Sequence, residues 1–297
     1  MTHRLALVPL CVCLFAGAAA ADDPKFEFGK KEEVKAVEWK ATAQAGAIYV
    51  TGNSRATTIT AGANASRKAG ADKLSIEGGV AYARSTVFVA SDINGSGGLS
   101  EDEIQAIETT STKSWLIKAR YDRFLTEHNS LYAAARVLAD EPAGKQLVGG
   151  AQAGYSRLLF KNPCNELVSE VGYDFSYENF VAPGDPVNIH SGRGFAGYTG
   201  KVRTDTEVAA SGELLLNINR ESTPTGTVKA FHDARFLGKA GLTTKLTGRV
   251  SFKVGFTLKF DNAPAPRPPF AGLAYEFNAK AEKLDTITEA QLVVTLL

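Results

Sequence analysis

The sequence predicts an all-β fold: a transmembrane antiparallel up-and-down β-barrel of about 12 strands. Three observations predict it. Apolar and polar residues alternate with period two over stretches longer than ordinary soluble strands. The connections between these stretches are alternately short and long. An export signal opens the chain, and no later window holds 18 consecutive apolar residues, so no membrane helix is expected.

The chain has 297 residues. Its start, "MTHRLALVPLCVCLFAGAAAADDP", has one basic residue, Arg4, an apolar run from Leu5 to Phe15, and small residues at Ala19 and Ala21. This pattern predicts a signal peptide over 1–21, cleaved after Ala20 or Ala21. Its loss takes Arg4 from the 33 Lys+Arg and leaves 32 against 32 Asp+Glu, a net charge of zero. No basic excess points to nucleic acid. Cys11 and Cys13 leave with the signal, so Cys164 remains without an intrachain disulfide partner. Residues 22–37, "DDPKFEFGKKEEVKAV", read as a charged periplasmic lead-in without a core. Residues 38–297 are assigned to the barrel.

Alternation is clearest in "RVSFKVGFTLKFD". One face carries Val250, Phe252, Val254, Phe256, Leu258 and Phe260, and the other Ser251, Lys253, Gly255, Thr257, Lys259 and Asp261. Only a strand separates these sets. In "EWKATAQAGAIYV", Trp39 and Tyr49 share a face ten residues apart. At ~3.3 Å per residue and ~45° tilt they are about 23 Å apart, close to the spacing of two aromatic girdles. "SWLIKARYD" sets Trp115, Ile117, Ala119 and Tyr121 against Lys118, Arg120 and Asp122. "EVGYDFSYE" sets Val171, Tyr173, Phe175 and Tyr177 against Glu170, Asp174, Ser176 and Glu178. A soluble β-sandwich has similar alternation. Strand length, aromatic ends and the export signal favour the barrel.

Twelve strands are expected, at roughly 38–50, 56–67, 73–89, 114–123, 130–139, 147–160, 166–179, 192–204, 207–219, 229–243, 249–261 and 285–297. Even-numbered connections are short, such as "KAGAD", "KNPCN" and "TKLTG". Most odd-numbered ones are longer, including 90–113, "VAPGDPVNIHSG", "RESTPTGTV" and 262–284. Both termini then lie in the periplasm and the long loops face outward.

The outer loop 90–113 carries "DINGSGGLSEDE" over 92–103, an EF-hand-like calcium spacing. Asp92, Asn94 and Ser96 offer side-chain oxygens at positions one, three and five. Gly98 offers a carbonyl at seven, Ser100 stands at nine, and Glu103 closes the shell at twelve. Gly97 allows the sharp turn at six. The bland alternative is a polar hairpin followed by a helix N-cap, since Ser100 stands three residues before Glu103. The two are compatible, so a short helix is expected after the loop. Few formal charges among the ligands imply weak Ca²⁺ binding, at about 10⁻⁴–10⁻³ M, and a structural staple.

The histidines outside the signal, His128, His190 and His232, are scattered, and no nucleophile–base spacing accompanies them. The inward faces carry mixed charges, among them Lys118, Arg120, Asp122, Glu170, Asp174, Glu178, Glu213, Arg235, Lys253 and Lys259. Such charges suit a wet lumen and equally an interior closed by ion pairs.

The stretches "AIYVTGNSRATT", "LIKARYDRFLTEHNSLYAAARVL" and "LTTKLTGRVSFKVGFTLKFDNAP" resemble the family of salt-induced outer-membrane proteins, a domain of unknown function in bacterial outer membranes. The resemblance covers most of 38–297. It implies a small barrel in outer-membrane lipid, inserted by the barrel-assembly machinery, and brings no established substrate or catalytic residues. The chain departs from the family pattern in ending "TLL" and in the calcium-like insert. The expected function is a small-solute pore or an envelope-integrity protein with a weak calcium site, and no enzyme. The alternatives are a barrel lipid hydrolase, whose serine–histidine motif is not recognisable here, and a non-conducting surface adhesin.

Overall fold

The structure, a computed structural model, describes residues 37–50, 55–90, 104–223, 226–265 and 282–296. The predicted signal peptide and nearly all of the lead-in lie outside the described residues, as do the six calcium-site positions Asp92, Asn94, Ser96, Gly98, Ser100 and Glu103.

Twelve antiparallel strands close into a barrel. In chain order they begin with β1 (Glu38–Val50), β2 (Arg55–Ala69), β3 (Asp72–Ala90), β4 (Ile104–Phe124), β5 (Asn129–Asp140) and β6 (Lys145–Lys161). They continue with β7 (Asn165–Phe180), β8 (Val187–Arg203) and β9 (Thr206–Asn217). A short hairpin of β10 (Glu221–Thr223) and β11 (Gly226–Val228) stands outside the barrel sheet. The wall resumes with β12 (Ala234–Lys245), β13 (Val250–Asp261) and β14 (Leu284–Thr295). β14 pairs with β1, with Gln44 opposite Val293, so the ring has no unpaired edge.

The faces fall as the alternation requires. On β13, Phe252, Val254 and Phe256 are exposed on the outer surface, while Gly255 and Thr257 are buried inside. On β7, Val171 is 63% exposed, whereas its neighbour Glu170 is 2% exposed. The usual arrangement is therefore inverted: apolar side chains coat the outside, and most of the buried side chains within are polar or charged.

Turn chemistry closes the short end. Asn162 Oδ1 accepts the amides of Cys164 (2.9 Å) and Asn165 (2.7 Å) between β6 and β7. Thr247 Oγ1 accepts those of Arg249 and Val250 between β12 and β13. At the opposite, long-loop end, between β5 and β6, Glu141–Ala143 forms a 3₁₀ turn, capped by Asp140 Oδ1 and ended by Gly144 at φ 78°.

Three strand boundaries differ from expectation by five residues or more, all at the long-loop end. β4 begins at Ile104 rather than about residue 114, so the short helix expected after the calcium motif is absent and residues 104–113 are strand. The capping-box signal is local. Pairing with β3, where Val89 faces Gln105 and Val87 faces Ile107, satisfies the same backbone groups over a longer span, and β-branched residues at 107, 109, 110 and 112 favour it. A bulge at Ser111 absorbs the register shift opposite Ala83 and Arg84. β8 begins at Val187 instead of 192, and β12 at Ala234 instead of 229. The stretch 229–233 is instead a turn in which Phe231 has φ 63°.

Candidate functional site in the barrel lumen

Inward-facing positions of β4 to β9, β12 and β13 meet as a belt of ion pairs that crosses the lumen. Arg120 of β4 binds Asp122 through Nε (3.0 Å) and Nη2 (2.6 Å), and reaches Glu170 of β7 at 2.7 Å. β5 and β6 lie between those two strands in the wall, so the second contact runs through the interior. Arg193 of β8 donates to Glu170 at 2.7 Å, to the Tyr132 hydroxyl at 2.7 Å, and through Nε to Glu213 of β9 at 2.6 Å. Both guanidinium groups lie over the Tyr132 ring, Arg120 at 4.3 Å and Arg193 at 5.4 Å from its centre.

A second tier lies beside it. Gln152 donates to Asp174 (2.7 Å) and Glu213 (3.2 Å), and Arg136 donates to Ser176 (2.9 Å) and pairs with Asp174. Nearer the long loops, Arg235 of β12 bonds Glu178 of β7 at 2.5 Å and Asp233 at 2.8 Å. Lys145 of β6 sits 3.5 Å from Glu178 and 3.9 Å from Asp261 of β13. β7, β8, β9 and β12 separate the strands of Lys145 and Asp261, so that contact spans the lumen. Burial of so many charges is tolerable because each carboxylate of the belt meets a guanidinium, ammonium, amide or hydroxyl donor.

Beyond the belt, toward the short turns, the lumen widens into a cavity of about 590 Å³. Phe195 forms part of its wall and lies under Arg193, whose charge is 5.3 Å from the ring centre. Among the lining residues seven are lysine or arginine, including Lys40, Lys73, Lys201 and Lys253, against four carboxylates. At the opposite mouth, Phe180, Val187, Ile189 and Ala265 form a small buried apolar cluster.

Lys118, Arg120, Asp122, Glu170, Asp174, Glu178, Glu213 and Arg235, which the sequence placed inside, do lie on inward faces. Alternation did not single out Arg136, Arg193, Tyr132 or Gln152. In "HSGRGFAGY", glycines at 192 and 194 occupy the outward positions, so no apolar face reveals which side Arg193 takes. In "YAAARVL", alanine stands on both faces and hides the parity of Arg136.

The three histidines stand apart. His128 is in an exposed turn, His190 hydrogen-bonds the Tyr173 hydroxyl near the long-loop end of β8, and the ring of His232 meets the Ala230 carbonyl. Among the described residues, no group of three or more His, Cys, Asp or Glu is arranged to hold a metal ion.

No curated protein sequence matches the chain. Solved structures similar to it are outer-membrane barrels of low identity. The NanC porin is 9% identical, with TM-score 0.41, and the alignment covers 86% of this chain and 97% of that one. The translocator domain of the autotransporter NalP from Neisseria meningitidis is 13% identical, with TM-score 0.38, covering 87% and 86%. OmpT of Vibrio cholerae is 10% identical, with TM-score 0.37, covering 89% and 100%. None of these likenesses bears on function. A family model spans residues 43–295, almost the whole barrel from β1 to β14, and the chain therefore belongs to the family described as a protein of unknown function, DUF481.

Proposed function

We propose that the protein is a bacterial outer-membrane barrel whose lumen is an ion-pair-constricted path for small solutes, with its short turns in the periplasm and its long loops outside. The carrying observation is the junction of two features: a basic cavity of about 590 Å³ at the short-turn end, and a belt of cross-lumen ion pairs beside it. Excess positive charge in a low-dielectric funnel concentrates small anions. The belt restricts what passes beyond, as a wide water-filled porin does not. The apolar outer face and the closed ring of strands support a place in lipid.

Reconstitution into planar bilayers tests this reading. The expected result is a conductance well below that of an open porin, with a preference for small anions that weakens as salt rises. A wide, unselective conductance would overturn it. So would complete silence from barrels shown to be folded, which would leave a sealed envelope-integrity protein.

The calcium motif belongs to this reading as a structural element. Cα pairing of Ala90 with Ile104 brings together the two strands that flank 91–103, so a cation held by Asp92, Asn94, Ser96, Gly98, Ser100 and Glu103 would staple the tip of the longest hairpin. This gives the ion no part in transport.

A further inference from the structure

The segment between β9 and β12 folds back against the long-loop end of the barrel, where the Ile218 amide donates to the His190 carbonyl of β8 at 2.7 Å. Asn217, at the end of β9, accepts the amide of Phe231 through its carbonyl (2.9 Å) and the amide of Asp233 through its side chain (2.9 Å). Its own amide group donates to the carbonyls of Asn219 and Lys229, both at 3.0 Å. These bonds tie both ends of the segment to one residue that is 1% exposed. Between them the β10–β11 hairpin pairs Glu221 with Val228. Phe231, a bulky exposed residue, is held at φ 63°, a region that side chains of its kind rarely adopt.

The hairpin buries a carboxyl. Glu221 is 1% exposed, and neither of its oxygens meets a hydrogen-bond donor among the described residues. Asp233 is also 1% exposed; its Oδ2 accepts from Arg235, and its Oδ1 meets no donor among the described residues. Among the described residues, three of the four carboxylate oxygens are thus buried without a donor, an arrangement that strongly disfavours two negative charges. The surroundings do not repair this. Arg235 of β12 is shared with Glu178 of β7 and Asp233, and lies 3.8 Å from Asp261 of β13. Lys145 of β6 is placed on Glu178 and Asp261. Burial and the charges of Asp233 and Glu178 oppose ionisation of Glu221, and outweigh Arg235 and the nearby Asn217 amide, which favour it.

We propose that the β10–β11 hairpin is a proton-dependent latch over the long-loop mouth of the lumen: Glu221 and Asp233 hold it down while a proton is present on the pair, and release it when both are ionised. Burial, and then the charge of Asp233, push the Glu221 carboxyl up to about 7, and burial raises that of Asp233. The ordinary value for Glu221, 4.5, applies to the released hairpin. Below that pH the carboxyl is protonated in both states and its contribution to closure is full. Between there and about 7 the released state ionises while the closed state keeps its proton, so closure weakens as pH rises. Above about 7 both states are ionised and the loss is complete. The opening equilibrium should rise roughly a hundredfold across this window. The latch rests on the barrel reading for its position at a mouth, but its movement can be measured without any conduction.

Hydrogen–deuterium exchange of a peptide spanning 218–233, in the full-length barrel in nanodiscs, tests the latch. Rates are corrected for the intrinsic effect of pH, with β13 as internal reference. Wild type should lose protection between pH 5 and 8 in this segment and keep it in β13. Glu221→Gln keeps the size and removes its own titration, leaving only that of Asp233, so its protection should vary with pH far less than that of wild type. Asp233→Asn should shift the wild-type transition to lower pH. A flat wild-type profile, or a Glu221→Gln profile that still follows wild type, overturns the latch. Protection restored at pH 8 by millimolar calcium or magnesium also overturns it, because the pair would then be a cation site. A barrel that conducts nothing yet shows the transition sinks the pore reading and leaves the latch intact.

Discussion

The Tyr132 hydroxyl of β5 lies over Gly172 of β7: a Cβ added at Gly172 would stand 2.5 Å from that oxygen and 2.5 Å from the Ala153 carbonyl. Gly172 faces Gly154 across the β6–β7 pair, so two glycines open a floor on which the phenol rests, two strands away from its own. There the hydroxyl accepts from Arg193, and the ring carries Arg120. The belt of charges is thus seated on a gap that only glycine leaves.

Gly172→Ala should therefore destabilise the barrel by about 1–3 kcal/mol through overpacking. One of the two atoms that would clash is backbone and has little room to yield. Gly194→Ala is the control, because a Cβ there meets nothing within 4 Å. It should be neutral or stabilising by less than about 1 kcal/mol. Urea unfolding in lipid vesicles compares the two. Equal stabilities would mean that Tyr132 is free to move off the pair.

Arg193 is the branching point of the belt, and its removal leaves Glu170 and Glu213 buried with fewer partners. Arg193→Met should cost about 3–5 kcal/mol, since one buried partner is removed while the opposing charges stay. Removing Glu213 as well, as Arg193→Met with Glu213→Met, should recover part of that loss. The single variant should also widen the passage and raise the conductance. If the double variant is less stable than the single, the pair contributes more than its desolvation costs.

Sequence and structure agree best where the alternation is cleanest. β13 begins and ends within one residue of expectation, because Phe252, Val254 and Phe256 on one face and Lys253 and Thr257 on the other leave a single register. The boundaries move where strands run past the lipid band. There the outward face no longer needs to be apolar, as in "ETTSTK" of β4, so alternation fades while pairing continues. The charges inside were legible as inward-facing, but their partners were not. Arg120 and Glu170 are 50 residues apart and meet only because the ring is closed. Glu221 carried no signal at all, since its burial comes from a connecting segment folding back on the end of the barrel.

The two faces of β13 supply a direct test of membrane placement. Phe256 is 43% exposed on the outer surface, and Thr257 beside it is 4% exposed inside. Phe256→Arg should cost about 2–4 kcal/mol in bilayers if it lies near the midplane. Lys253→Leu, on the inner face, should cost less and should chiefly alter conductance. A barrel that tolerates Phe256→Arg but not Lys253→Leu would have its faces reversed.

Calcium is tested at Glu103, where position twelve of such a loop supplies two oxygens and joins its halves. Glu103→Gln keeps the shape and removes the charge. The barrel should fold unchanged, because its stability lies in strand pairing and in the apolar outer band. The change should be confined to the tip of the β3–β4 hairpin. In wild type, calcium at about 10⁻⁴–10⁻³ M should protect 91–103 from proteolysis, and chelation should remove that protection. Glu103→Gln should be cleaved at the chelated rate with or without the ion. Pairing of Ala90 with Ile104 should persist in both, so cleavage is expected within the twelve-residue motif rather than in the strands that flank it. If calorimetry detects no heat of binding at millimolar calcium and proteolysis is indifferent to the ion, Asp92 to Glu103 form a polar hairpin tip and nothing more.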